Sequence, residues 1–218
     1  MGYYKSGFAD GTKQNGSDQQ SGAYIFRPSA DNPHKITLLT SKTEVRQGCL
    51  VNEEWHMLKD PENSSNNITF SFVVRTFAND SETEVEWMAG PIALDENTGK
   101  EVVMVYKLPE GNKPPRIEGQ HNFRTDANGR QYIQRTLNSR DSYNVPLSDF
   151  ELEFASSNYY PITTGISIAG SADNQMDVLT DRAQGATSLR PDEVEIMVHR
   201  RLKHDDNRGK VSQYAKPK

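Results

Sequence analysis

The chain has 218 residues, enough for one large domain or two small ones, with a net charge of -5 and a pI of about 5.6. Hydrophobic residues make up 34% and mean hydropathy is -0.80, polar for a globular chain, yet nine Tyr and eight Phe argue against full disorder. The acidic balance gives no reason to expect nucleic acid, and no apolar run approaches the ~18 residues that span a bilayer.

In chain order, residues 1–20 are rich in Gly, Ser, Gln, Asn and Asp, lack the apolar stretch of a signal peptide, and read as a flexible segment. Period-2 alternation and β-branched or aromatic runs then predict strands at 23–27, 35–40, 45–51, 68–77, 83–87, 101–108, 132–136, 162–168, 176–179 and 193–199. Turn signals fall at 95–99, 110–115 and Asn128-Gly129, and the last reads as a type I′ hairpin turn. Polar stretches at 60–67 and 109–120 read as exposed loops, and 211–218 as a loose tail. Helical periodicity is nearly absent and no internal repeat is visible. Many short strands must bury one apolar face against another layer, which predicts an all-β antiparallel sandwich over residues 21–210.

Four sequons, at Asn15, Asn63, Asn67 and Asn79, mildly exceed the about two that chance supplies in so Asn-, Ser- and Thr-rich a chain. Cys49 is the sole cysteine, so no intrachain disulfide forms. It reads as a buried free thiol, or as a cysteine whose partner lies elsewhere in a longer polypeptide. The five histidines offer no HExxH spacing, and no Cys-x-x-Cys exists. His204-Asp205-Asp206 reads as a solvated charged turn rather than a metal site. Asp181, Asp205 and Asp206 read as salt-bridge partners for Arg182, Arg200, Arg201 or Arg208 rather than as catalytic acids. Gly165 to Gly170 lacks the spacing of a phosphate loop, and Cys49 has no adjacent base. Strict alternation would place Arg200 on the apolar face with Val194, Ile196 and Val198. Burying a guanidinium there is prohibitive, so the strand ends or bulges near His199, or Arg200 pairs with a carboxylate such as Asp181.

Five segments occur in an order that resembles one family. They are Ser21-Gly22-Ala23-Tyr24-Ile25-Phe26-Arg27-Pro28; Glu86-Trp87 through Gly90-Pro91-Ile92 with Gly99-Lys100-Glu101-Val102; Phe123-Arg124-Thr125-Asp126-Ala127-Asn128-Gly129-Arg130; Asn158-Tyr159-Tyr160-Pro161; and 176–209, which holds Thr180-Asp181-Arg182-Ala183-Gln184-Gly185 and Asp205-Asp206-Asn207-Arg208-Gly209. Together they are similar to the C-terminal β-region of family 38 glycoside hydrolases, the α-mannosidases, and to lysosomal-type members above all. Where the family often carries an aromatic, this chain has Arg124. The resemblance implies a large antiparallel β-sandwich of the galactose-mutarotase-like kind, whose ends this chain need not complete. It implies a portion without the catalytic barrel, so that neither the zinc site nor the catalytic carboxylates belong to this chain. The expected partners are that barrel and a mannose-containing glycan, in a lysosome, vacuole or secretory setting. By the same resemblance, Tyr24 and the turn at Arg208 and Gly209 face the sugar pocket. Residue by residue, Tyr24 could equally be a core aromatic and Arg208 a surface ion-pair residue. The alternative is a stand-alone β-sandwich that binds carbohydrate or protein without hydrolysis.

Overall fold

The computed structural model describes residues 1–7, 21–22, 24–30, 33–35, 37–59, 70–94, 99–112, 121–140, 143, 153–170 and 174–203, with only the backbone for 34–35 and 37–42. The chain divides into two units, Lys35–Asp95 and the flanking Met1–His34 with Glu96–Lys218.

The flanking unit holds β1 (Gly2–Lys5), β2 (His34–Lys35), β7 (Lys100–Lys107), β8 (Asn122–Asp126), β9 (Tyr132–Thr136), α1 (Phe154–Ser157), β10 (Tyr160–Ile162), β11 (Gly165–Ala169), β12 (Gln175–Leu179), β13 (Gln184–Arg190) and β14 (Glu193–Arg201). Six strands form one sheet in the order β10-β13-β14-β7-β1-β2, and four form another in the order β12-β11-β8-β9. Phe123, Ile166 and Ile168 of the smaller sheet pack against Tyr160, Ile162, Ala186, Val194 and Ile196 of the larger. Full burial of a side chain such as Ile196 contributes about 1.5–3 kcal/mol. The opposite face of the six-stranded sheet is also covered: Tyr4, Val103 and Leu189 form a second core with Ala155 of α1 and with Phe26. Both faces of β7 are therefore covered, which explains its nearly continuous apolar run Val102–Tyr106. This is the all-β sandwich that the sequence implied.

Several elements differ from the sequence reading. Residues 2–5 lie in the stretch expected to be loose, yet β1 pairs with β7 from Gly2↔Val103 to Lys5↔Lys100, and Tyr3 and Tyr4 are buried. Two tyrosines after a glycine are too short a run to signal a strand by alternation. Segment 162–168 is two strands. Thr163 and Thr164 pass from one sheet to the other there, and their N–H groups, with that of Gly165, donate to the Asp126 carboxylate at 2.8, 3.0 and 3.1 Å. Residues 48–50 interrupt the strand expected over 45–51, and β8 and β13 had no entry in that reading. Asn128 and Gly129, at φ 53° and 68°, form the expected I′ turn, closed by Arg130 N–H donating to the Ala127 carbonyl at 3.1 Å.

The Lys35–Asp95 unit is a meander of β3 (Thr37–Gln47), β4 (Val51–Lys59), β5 (Phe70–Phe77) and β6 (Thr83–Ala89), each paired to the next. Leu58 and Phe70 oppose each other in register and are buried, and His56 stacks on Phe72 at 4.4 Å. Arg75 reaches Glu53, Glu84 and Glu86 across three strands, at 2.8, 3.0 and 2.8 Å. Cys49 lies exposed in the β3–β4 turn, which corrects the reading of a buried thiol: Gly48 and Cys49 reverse the chain there instead of entering a core.

Candidate functional site: a tyrosine loop fastened by a buried ion pair

The segment from 23 to 27 was expected to be a strand. It is instead a closed loop, because its polar backbone groups find side chains rather than a neighbouring strand. Arg27 N–H donates to Ser21 Oγ at 2.7 Å, and that oxygen lies 2.9 Å from the Arg27 carbonyl. Gly22 N–H donates to the Ile25 carbonyl at 3.0 Å. Arg200 Nη2 donates to the carbonyls of Gly22 and Ile25, both at 2.9 Å. Tyr24 lies within the stretch that these contacts enclose, 71% exposed. The reading of Tyr24 as a core aromatic is excluded.

Arg200 can reach the loop because of a register shift. The β14–β7 pairing runs regularly to Met197↔Val103, then shifts so that His199 opposes Val102 and Arg200 opposes Glu101. Val198 packs on the first core, while the next basic side chain turns to the face where Val103 and Val105 lie. There Arg200 Nε donates to Glu101 Oε1 at 2.9 Å. Glu101 is fully buried, and its other oxygen lies 3.2 Å from Ser21 Oγ. Burial pushes the Glu101 carboxyl above its ordinary range, and Arg200 and Ser21 pull it back only in part. The bulge and the carboxylate partner proposed from sequence are thus both present, but the partner is Glu101. Asp181 instead holds Arg182, at 2.9 Å to Nε.

A second buried cluster lies under the same segment. Phe26 packs edge-on against Tyr4 at 5.4 Å and Tyr159 at 4.9 Å. The Tyr159 hydroxyl donates to Glu195, a buried carboxyl on β14. Burial raises Glu195 to about 7, against the hydrogen bond from Tyr159. Arg27 in turn pairs with Glu153 beside α1, at 3.0 Å. Sequence reasoning gave neither Glu101 nor Glu195 a role. The available signal was a carboxylate beside the apolar run of each strand, Glu101 before Val102–Tyr106 and Glu195 between Val194 and Ile196, which demands a partner if buried.

Gly99, just before β7, has no room for a side chain. A Cβ there would lie 2.7 Å from Ser6 Oγ and 3.1 Å from the Arg201 carbonyl. Asn158 is fully buried and exchanges hydrogen bonds with Asn138, 2.8 Å each way, which fixes the chain leaving β9.

The remaining predicted positions are placed as follows. Asn79 is exposed in the β5–β6 turn, an accessible place for a sequon. Asn15, Asn63, Asn67, His204, Asp205, Asp206, Arg208 and Gly209 lie outside the described residues. Among the described residues no three His, Cys, Asp or Glu side chains are grouped to hold a metal. His121 bonds the Ser188 carbonyl at 2.8 Å, and His56 pairs with Glu54 at 2.8 Å; a zinc ion does not fit this donor set. No helix among the described residues is long and apolar enough to cross a membrane. What the loop offers chemically is a ring face and a hydroxyl, on a backbone whose position is fixed from below.

Comparison with known proteins agrees with this organisation. The glycosyl hydrolases family 38 C-terminal domain matches residues 11–208. The chain is similar to the lysosomal alpha-mannosidase of Homo sapiens, 36% identical over 199 residues, covering 89% of this chain and 17% of that protein. It is also similar to the lysosomal alpha-mannosidase of Bos taurus, at 36% over 198 residues covering 91% and 18%. With the alpha-mannosidase of Canavalia ensiformis it shares 33% over 192 residues, covering 88% and 17%. The chain therefore spans less than a fifth of the length of these relatives. On a match running through nearly all of its strands, this chain belongs to the C-terminal domain family of the family 38 glycosyl hydrolases.

Proposed function

We propose that this chain is a non-catalytic β-portion of a zinc-dependent, retaining α-mannosidase that removes α-linked mannose from N-glycans in a lysosomal, vacuolar or secretory compartment. Its partners are the catalytic barrel, which supplies zinc and the reacting carboxylates, and the mannose-containing glycan that the barrel binds. Within that assembly the chain packs on the barrel and lends Tyr24 to the sugar pocket, with the turn at Arg208 and Gly209 as a second contact. One observation carries the reading: a tyrosine 71% exposed on a loop whose flanking carbonyls are held by an arginine paired to the buried Glu101. An exposed aromatic is ordinarily free to move. Fastening its backbone through Arg200 to the buried Glu101 is what a position needs when its hydroxyl must meet a ligand at a fixed place.

The test is Tyr24→Phe in the intact enzyme. Deleting one hydroxyl that bonds a sugar removes about 0.5–1.5 kcal/mol, a two- to tenfold loss in kcat/KM. Unchanged kcat/KM in a folded Tyr24→Phe enzyme refutes a role in the pocket and leaves the domain a structural one.

A further inference from the structure

Beside β9, a cavity of about 370 Å³ is lined by Gln134, Arg135, Ser139, Arg140, Tyr143 and Tyr160 among others. Its volume falls in the range of small-molecule sites. Arg135 and Arg140 both lie over the Tyr160 ring, their guanidinium carbons 4.2 and 4.1 Å from its centroid. That keeps the two charges within roughly one Debye length (~8 Å) of each other. The described partners of both groups are neutral. Arg135 Nε donates to Thr125 Oγ1 at 3.0 Å, and Arg140 donates to the Ser157 carbonyl. Neither has a carboxylate partner among the described residues. Arg27, Arg75, Arg182, Arg190 and Arg200, by contrast, each pair with a carboxylate. The Tyr160 ring attracts each cation but does not cancel their mutual repulsion.

A guanidinium presents five N–H donors in a planar fork suited to carboxylate and phosphate oxygens. Two such forks lining one cavity, with no carboxylate partner among the described residues, suit an oxyanion. The rest of the lining includes Thr136, Ser139 and Tyr143, the last of them 73% exposed. Those groups suit a polyhydroxylated body rather than an apolar one. The chain as a whole carries -5, so its general field does not gather anions, and attraction here is local.

We propose that this cavity is a binding site for a carboxylate or phosphate group on a small polar molecule such as an acidic sugar, with Arg135 and Arg140 holding the anion and Tyr143 covering the attached body. The proposal is independent of the mannosidase reading, because it uses neither the barrel nor Tyr24. The experiment is phenylglyoxal labelling of the full-length protein that carries this chain, followed by peptide mass mapping. Inorganic phosphate, glucuronate and neutral glucose are compared as protectants. Arg135 and Arg140 should label more slowly with phosphate or glucuronate, by roughly tenfold at ten times Kd, since protection scales with one plus ligand over Kd. Exposed Arg124 and Arg130 should react as before. Protection by phosphate alone or by glucuronate alone identifies the group bound. Arg140→Gln should remove the protection of Arg135. Equal labelling with and without anion, uniform slowing at all four arginines, equal protection by glucose, or failure of both cavity arginines to react at all would each overturn the proposal.

Discussion

Replacing Arg200 by Met keeps an apolar stem of similar length and removes the charge that faces Glu101. Glu101 is fully buried, so the variant must either hold an unpaired carboxylate or protonate it. Breaking a buried pair from one side costs about 3–5 kcal/mol at neutral pH. The cost has a built-in pH dependence. Glu101 already sits above its ordinary value of 4.5 because burial outweighs Arg200 and Ser21, and removing Arg200 raises it further. A carboxyl raised on folding holds more protons in the native state than in the unfolded one, so stability falls as pH climbs through that window. Within that window the deficit should therefore grow as pH rises, by no more than about 1.4 kcal/mol per pH unit. Wild type should show the same sign with a shallower slope. Hydrogen–deuterium exchange of peptides covering β7, β14 and residues 21–30 reads these local opening energies in the intact protein. Exchange ~100-fold or more faster at neutral pH, with a smaller difference near pH 5, is the expected outcome. An equal deficit at both pH values would refute the assignment of Glu101 as the buried charge that Arg200 neutralises.

Glu195→Gln should flatten a second pH dependence: with Glu195 raised from 4.5 to about 7 by burial, wild type loses stability as pH rises across that interval, by ~3 kcal/mol in full, and the amide does not. Denaturant melts of both proteins between pH 4.5 and 8 check this; parallel curves would mean that Glu195 is ordinary in the native state. Asp126→Ala should cost about 1.5–3 kcal/mol, because the carboxylate accepts from Gly129, Thr163, Thr164 and Gly165 and the buried Gly165 N–H would be left without it; wild-type melting of the variant would contradict that reasoning. The purified 218-residue chain should not hydrolyse an aryl α-mannoside, with or without added zinc, and zinc-dependent turnover would sink the non-catalytic reading.

What the sequence made legible depended on whether its signals were local. The Asn128-Gly129 turn needs only the positive φ that its two residues tolerate, and it stands where expected. Strand β9 alternates cleanly over Tyr132–Thr136 and matches residue for residue. The strand expected over 23–27 failed for the opposite reason. Its apolar spacing looked extended, but its carbonyls answer to Arg200, far along the chain. The Arg200 problem itself was visible from alternation; choosing Glu101 over Asp181 required the register shift at Val198, which leaves no local mark. Family motifs located the Tyr24 loop before geometry explained it, since Ser21 and Arg27 of that motif are the residues that close it. Nothing in the pattern announced the Arg135–Tyr160–Arg140 arrangement, which exists only once β9 and the Asn158-Tyr159-Tyr160 segment meet.

The pairing of β1 with β7, and of β7 with β14, also sets the order in which this chain can acquire structure during synthesis. The Lys35–Asp95 meander is made of adjacent hairpins, so each new strand finds its neighbour already emerged. The six-stranded sheet is different: β1 waits for β7, and β7 waits for β14, across gaps that raise the entropy of closure. During synthesis Tyr3 and Tyr4 are thus made well before the strands that shelter them. For that interval the unpaired β1 and β7 edges are exposed to other chains, so substitutions that slow translation or weaken β14 should lower yield through aggregation rather than through any defect in the finished fold.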